Sequence, residues 1–263
     1  VFSNSVLDRF VEARQTGSKL FVLLLDPGSG TAALDRFEEQ VEQAEQLGVD
    51  LLFLGGSLVN PLAIHEATAR IKRITRLPVV LFPGSALQVC PEADAILFLS
   101  LVSGRNPEYL IGQHVVAAPL LEQYPRLEII PTAYLLIDSG RPTSASYMSG
   151  TQPLPHDKPE LARYTALASQ YLGLRLVYLD AGSGAQIPVS GAMIQAVRSG
   201  SALPMIVGGG LRSAEAITQV LQAGADAVVV GNYLEADDFV QRLEPLVAAV
   251  QAFQPTTLPS RLR

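Results

Sequence analysis

The sequence is most informative at first through what it lacks. It has one cysteine, Cys90, so no intrachain disulfide can form. No histidine or second cysteine stands near it in the chain, which argues against a zinc site and for a small buried residue. There are three histidines, none in metal-ligand or Ser-His-Asp spacing. His65 and His114 fall on helical patterns as surface or packing residues, and His156 falls in a loop. Positive charge is scarce: 19 Lys and Arg against 25 Asp and Glu give a net charge of -6, which excludes a protein built to grip nucleic acid. No apolar run approaches the ~18 residues of a spanning helix. The opening Val1-Phe2-Ser3-Asn4 lacks a basic region followed by an apolar one, so a cytoplasmic protein without a signal peptide is expected.

What is present is apolar and periodic. Hydrophobic residues make up 48% of the chain and charged ones 17%, a balance suited to strands buried on both faces. Eight apolar runs stand out: Leu20–Leu25, Leu51–Leu54, Val79–Phe82, Ala95–Leu99, Glu128–Ile137, Leu174–Leu179, Pro204–Val207 and Ala227–Val230. Amphipathic stretches lie between them, with caps at Ser5, Asn60-Pro61, Asn106-Pro107, Pro159, Ser190 and Ser213 and stops at Gly48 and Gly173. Eight strands alternating with helices predict a single (β/α)8 TIM-type barrel over residues 1–263, with an N-terminal helix within 1–18 and a loose tail over 254–263. An open doubly wound sheet is the alternative, but no G-x-G-x-x-G follows the first strand. Only Pro83 to Asp94 separates the third and fourth strands, and Pro83, Gly84 and Pro91 leave little room for a crossover helix. An extended segment or single turn is expected there, so the barrel lacks a regular third outer helix.

Active sites of this fold gather where strands end. Gly208-Gly209-Gly210 after strand seven and Gly231-Asn232 after strand eight can admit a phosphate to the backbone, or can simply be tight turns. After strand six, Asp180 can take a proton from a hydroxyl, or can order its own turn, in the run Tyr178-Leu179-Asp180-Ala181-Gly182-Ser183-Gly184. Asp26-Pro27 after strand one and Gly55-Gly56-Ser57 after strand two offer oxygen ligands to magnesium, although Asp-Pro turns are common. Arg105 after strand four is a fork for phosphate oxygens or a surface ion pair, and Asn106 a helix cap. Residues 138–157 show no periodicity and read as a lid or a functionless loop, with Arg141, Tyr147 and Lys158 as candidate contacts.

Taken in order, Asp26-Pro27, Gly55-Gly56-Ser57, Phe82-Pro83-Gly84, the long run from Leu99 through Ser103-Gly104-Arg105-Asn106-Pro107-Glu108-Tyr109, Tyr178 to Gly184, Gly208-Gly209-Gly210 and Gly231-Asn232 resemble the geranylgeranylglyceryl phosphate synthase family, which includes the heptaprenylglyceryl phosphate synthases. The resemblance covers nearly the whole chain. It implies a magnesium-dependent prenyltransferase that joins sn-glycerol 1-phosphate to a polyprenyl diphosphate, geranylgeranyl being the expected donor, in ether-lipid biosynthesis. It implies that Asp26 and Ser57 hold the magnesium. Tyr178, Leu179, Asp180, Ala181, Gly182, Ser183, Gly184, Gly209, Gly210, Gly231 and Asn232 bind glycerol phosphate, with Asp180 as base and Arg105 beside the diphosphate. It also implies a barrel missing its third helix, a homo-oligomer and at most transient membrane contact. Two positions depart from the family pattern: Asp180 stands where glutamate is usual, and Ser29 where lysine is usual, leaving Arg105 or Lys158 to supply the missing cation. Rival readings are a phosphosugar isomerase or synthase on the same barrel, and a non-catalytic binder of a phosphate ligand. The prenyl chain is expected in an apolar groove on the thin side near strands three and four.

Overall fold

Short runs of Leu, Val, Ile and Phe form the eight strands of a closed, all-parallel barrel, paired in chain order with the last hydrogen-bonded to the first. The computed structural model describes residues 5–27, 31–56 and 59–253, so Ser29, Ser57 and the tail over 254–263 lie outside the described residues. The strands are β1 (Leu20–Leu25), β2 (Leu51–Leu54), β3 (Val79–Leu81), β4 (Ala95–Leu101), β5 (Glu128–Leu136), β6 (Leu176–Asp180), β7 (Met205–Gly208) and β8 (Ala227–Val230). The helices are α1 (Val6–Thr16), α2 (Thr31–Leu47), α3 (Pro61–Ile74), α4 (Gln113–Leu121), α5 (Ser144–Ser149), α6 (Pro159–Tyr171), α7 (Gly191–Gly200), α8 (Ala214–Ala223) and α9 (Phe239–Gln251). Side chains alternate between two cores, as a strand's period of two requires. On β6, Val177 and Leu179 pack outward against the helices, while Leu176 and Tyr178 point into the barrel.

The N-terminal helix belongs to the inner core. Val6, Leu7 and Phe10 of α1 pack with Val22, Leu51, Ile130 and Leu176, closing the barrel at the N-terminal ends of its strands. Its start is fixed by charge as well as by packing. Ser5 Oγ accepts the Asp8 N–H at 3.3 Å and donates to Glu128 Oε1 at 2.6 Å. The Glu128 carboxylate also takes the N–H groups of Val6 (2.6 Å) and Leu7 (3.1 Å), an anion on the positive end of the helix. The other expected starts hold too. Asn60, Ser190 and Ser213 accept the N–H groups of Leu62, Met193 and Ala216.

Between β3 and β4 the chain makes one 3-10 turn, Ala86–Gln88, in place of a helix, in agreement with the proline and glycine content there. Two glutamines hold this segment. The buried Gln88 side chain accepts the Gly84 N–H and donates to the carbonyls of Gly56 and Val59. Gln113 accepts the Ala86 N–H. The next helix begins as a π turn, Glu108–Gly112, and leaves Ile111, Val115, Val116 and Leu120 exposed.

Residues 138–157 differ from the expected aperiodic loop. Thr143 and Ser146 form a reciprocal cap that starts α5, and Leu154 bridges back to Ile137. Six residues are too few to show a helical repeat, so a short capped helix reads as a loop in sequence. The segment is tied over the barrel mouth by Asn106 Nδ2 to the Ser149 carbonyl (2.6 Å) and by the Tyr109 hydroxyl to the Met148 carbonyl (3.2 Å).

If α1 is the floor of the barrel, Phe10→Ala should lower unfolding free energy by ~3–4 kcal/mol, read as a lower urea midpoint at unchanged slope. A loss under ~1 kcal/mol would mean that the helix only rests on the surface.

Candidate functional site

The C-terminal ends of the strands enclose a cavity of about 670 Å3. Its floor is aromatic. Phe82, Tyr134 and Tyr178 stack mutually at ring separations of 5.4, 5.5 and 5.9 Å, and Phe53 lies 6.2 Å beneath Phe82. Asp180 sits on this floor, 6% exposed. A buried carboxylate needs partners, and it has two: the Tyr134 hydroxyl donates to Oδ2 at 2.6 Å, and the Gly182 N–H to Oδ1 at 2.7 Å. Burial nevertheless outweighs both hydrogen bonds and raises the Asp180 pKa above the ordinary carboxylate value. The same burial, helped by the Asp180 charge, pushes the Tyr134 and Tyr178 hydroxyls well up, so both are neutral donors.

One wall is made of glycine loops. Gly182, Ser183 and Gly184 after β6, Gly209 and Gly210 after β7, and Gly231 and Asn232 after β8 all line the cavity. Gly209 shows why no side chain is tolerated: its φ is +81°, and a Cβ there would lie 2.7 Å from Gly182 N and 2.8 Å from Asp180 Oδ1. Gly209 and Gly210 are both left-handed, at φ +81° and +74°, a backbone that glycine adopts without strain and that leaves the main chain bare toward the cavity. The β6 and β8 loops are joined by the Ser183 hydroxyl donating to Asn232 Oδ1.

Asp26, after β1, lines the same cavity beside Gly56, where a Cβ would come within 2.5 Å of Asp26 Oδ2. Burial raises the Asp26 pKa, and the nearby Glu235 carboxylate raises it further. Glu235 also lines the cavity, accepting from Asn232 Nδ2 at 3.2 Å. Carboxylate oxygens such as those of Asp26 and Glu235 are the ligand type that a hard divalent cation takes.

From this polar end the cavity runs into the gap left by the missing helix. There it is lined by Ala86, Val89, Ile96, Phe98 and Ala117, with His114 standing edge-on to Phe98 at 4.3 Å. His114 is buried, shares a hydrogen bond with the Ser100 hydroxyl at 3.2 Å, and is held neutral by desolvation.

The structure thus gathers Asp26, Tyr178, Asp180, Gly182, Ser183, Gly184, Gly209, Gly210, Gly231 and Asn232 around one space. Leu179 and Ala181 belong to the outer core, because strand parity turns their side chains away. Arg105 is not in the cavity. Its guanidinium is exposed and donates to the Val102 and Gly104 carbonyls of its own loop. Lys158 does not replace it either, being exposed and paired with Asp157 at 3.6 Å. Arg141 donates to the Gly184 carbonyl and so supports the β6 loop. Tyr147 points into solvent at 83% exposure, and His156 meets the Pro188 carbonyl at 3.3 Å. The cations that line the cavity are Arg212, after the β7 glycines, and Arg242 on α9. Sequence reading missed these two, together with Tyr134, Glu235 and the cavity role of His114. Tyr134 alone carried a usable signal, since it pairs in register with Tyr178 and shares its inward parity.

Similarity to known proteins follows the same residues. The model of the PcrB family matches residues 12–251. The chain is 52% identical to the geranylgeranylglyceryl phosphate synthase of Spirosoma linguale, over 88% of this chain and 92% of that protein. It is 40% identical to the protein of that name from Korarchaeum cryptofilum, again over 88% and 92%. The crystal structure of (S)-3-O-geranylgeranylglyceryl phosphate synthase from Thermoplasma acidophilum, in complex with its substrate sn-glycerol-1-phosphate, matches with a TM-score of 0.87 at 36% identity, covering 94% of this chain and 99% of that one.

If the glycine wall is the anion site, Gly209→Ala should weaken binding of inorganic phosphate by at least about tenfold in calorimetry, the scale of one lost ~1.4 kcal/mol contact. Gly173→Ala, at a left-handed position with nothing within 4 Å, should leave that binding unchanged. Equal affinities in the two variants would move the anion elsewhere.

Proposed function

The chain belongs to the PcrB family, and on that premise we propose that it is a prenyltransferase of ether-lipid synthesis, joining sn-glycerol 1-phosphate to a polyprenyl diphosphate with release of diphosphate. The observation that carries this reading is the shape of the cavity. A glycine-walled polar end and an apolar arm meet at one buried carboxylate, Asp180. A phosphosugar enzyme has no use for the apolar arm, and a mere phosphate binder has none for a partly desolvated base.

In the proposed reaction the glycine loops of β6, β7 and β8 hold the phosphate, with Arg212 beside the β7 loop. The 3-hydroxyl of the glycerol then lies over Asp180. The hydroxyl oxygen bonds to the first carbon of the prenyl chain as the bond from that carbon to diphosphate breaks, and Asp180 takes the hydroxyl proton. Tyr134 and the Gly182 N–H each bond one carboxylate oxygen and hold the group in place at the cavity floor. Its raised pKa makes it a stronger base than an exposed aspartate, and its short side chain is held by these two bonds rather than by length. Much of the acceleration comes from holding both reactants in line. The prenyl chain occupies the arm between β3, β4 and α4, where Ala86, Val89, Phe98 and Ala117 exclude water.

Magnesium is part of the proposal, held by Asp26 with Glu235 close by; when bound it supplies charge neutralisation for the leaving diphosphate. Where the family has lysine this chain has Ser29; the cations lining the cavity are Arg212, which donates to the Ala185 carbonyl, and Arg242, paired with Asp238 at 2.7 Å, and of the two Arg212 is proposed to face the phosphate. A homo-oligomer is also proposed, the exposed apolar row Ile111, Val115, Val116 and Leu120 being the face a second copy would cover. Among the described residues no helix is long and apolar enough to cross a membrane.

The test is incubation with magnesium, labelled sn-glycerol 1-phosphate and prenyl diphosphates of increasing length, followed by lipid extraction. Label in the organic phase is expected, and its absence with every donor would sink the proposal. Asp180→Asn should lower turnover by ~100-fold or more while sparing glycerol phosphate binding. The pH profile gives a finer check. Asp180 works ionised, so turnover falls as pH drops through its pKa. Tyr134→Phe removes a bond that favours the ionised form, so the acid limb should move to higher pH. An unmoved limb would separate Tyr134 from the base.

A further inference from the structure

The expectation that Cys90 lacks metal-binding partners fails in three dimensions. Cys90 lies in the helix-less connection between β3 and β4, directly under α3. There His65 of α3, Cys90 and Glu92 bring a ring nitrogen, a sulfur and a carboxylate oxygen all within 4.8 Å of one another. Tetrahedral zinc with bonds of about 2.0–2.3 Å holds its ligand atoms roughly 3.3–3.8 Å apart, so the His65 ring needs to draw in by about 1 Å toward a sulfur and carboxylate that are already in contact. Cys90 is fully buried, His65 half-buried and Glu92 exposed, which seats the sulfur inside and leaves a fourth position toward solvent. These residues take no part in the cavity on the barrel mouth.

We propose that His65, Cys90 and Glu92 form a zinc site that ties the β3–β4 connection to α3. The ligand set is right for zinc, borderline-soft and met by nitrogen, sulfur and one carboxylate. It is wrong for magnesium, which wants oxygen alone. In the metal-free protein the thiol proton sits between Cys90 Sγ and Glu92 Oε2, 3.0 Å apart. Zinc takes the place of that proton, which leaves to solvent. The resulting thiolate and carboxylate balance the ion's two positive charges. The segment so pinned supplies Pro83, Gly84, Ser85, Ala86 and Val89 to the cavity wall. The site would therefore steady the very wall that has no helix behind it.

The chain's single cysteine makes the test specific. Reduced, purified protein is titrated with cobalt(II) as the spectroscopic stand-in for zinc. A near-ultraviolet thiolate-to-cobalt charge-transfer band is expected, removed by a stoichiometric addition of zinc and absent in Cys90→Ser. Cobalt at the all-oxygen Asp26 site gives no such band, so failure here and failure of the prenyltransferase reading are separate results. His65→Ala and Glu92→Gln, which leave the buried sulfur in place, should each weaken cobalt binding by at least about tenfold. No band at saturating cobalt, or a band that either variant leaves at unchanged affinity, overturns the site.

Discussion

Closure of the sheet is the constraint on which the rest depends. β8 pairs with β1 from Leu20 opposite Ala227 to Leu23 opposite Val230, and with that pairing no strand is left with a free edge. It also brings the two ends of the chain's chemistry together. Asp26 lies just past β1 and Glu235 just past β8, and only a closed barrel sets their charges against one another. Carboxylates stabilise the closure at the opposite end. Asp50, Asp94 and Asp226 each stand immediately before an even-numbered strand. They accept the N–H groups of Phe21, Val79 and Met205 on the preceding strands, at 2.8, 2.7 and 2.8 Å. Asp226 is buried with Arg198 and Lys19 beside it, so its charge is compensated where water does not reach.

Burial and pairing also compete at the mouth. At the N-terminal end Asp50, Asp94 and Asp226 each accept a backbone N–H, and Asp94 and Asp226 each pair with a cation. Among the described residues Asp180 has two neutral donors and no cation, and burial dominates, as it also does at Asp50. Asp180 is thus a buried proton acceptor at the mouth, while Asp94 and Asp226, each paired with a cation, tie neighbouring strands at the opposite end. That division matches the fold's usual separation between a reactive C-terminal face and a stabilising N-terminal one.

How much of this was legible in sequence follows from the range of each signal. The barrel was legible because its eight apolar runs, and the caps and stops between them, are local signals. The missing helix was legible from two prolines and a glycine in a short connection. The glycine wall was legible because Gly209 and Gly210 have a backbone need that no other residue meets. Side-chain direction was not. Arg105 looked like a phosphate fork until its own loop carbonyls claimed it, and α5 was too short to show a period. Tyr134 carries a signal of inward parity, but its bond to Asp180, 46 residues on, is not local, and Glu235 meets Asp26 only through barrel closure. Cys90 is the same lesson reversed: it lacked metal partners within the chain and gained His65 across the α3 interface.

The absent helix ties fold to activity. A crossover helix at Pro83–Asp94 would cover β3 and β4 with side chains and fill the space where the apolar arm now runs. Its removal opens a groove and also takes away the packing that would hold the β3–β4 connection. Polar pins replace that packing. Gln88 reaches Gly56 and Val59 on one side, and Gln113 reaches Ala86 on the other. Hydrogen bonds of this kind contribute only ~1 kcal/mol each, far less than a packed helix face, but they impose direction that hydrophobic contact lacks. Direction is what the wall needs, since the aromatic floor must stay within reach of a chain lying in the arm while Asp180 stays aligned with its end. A barrel with an intact third helix would gain stability there and lose the space that separates this cavity from a plain phosphate site.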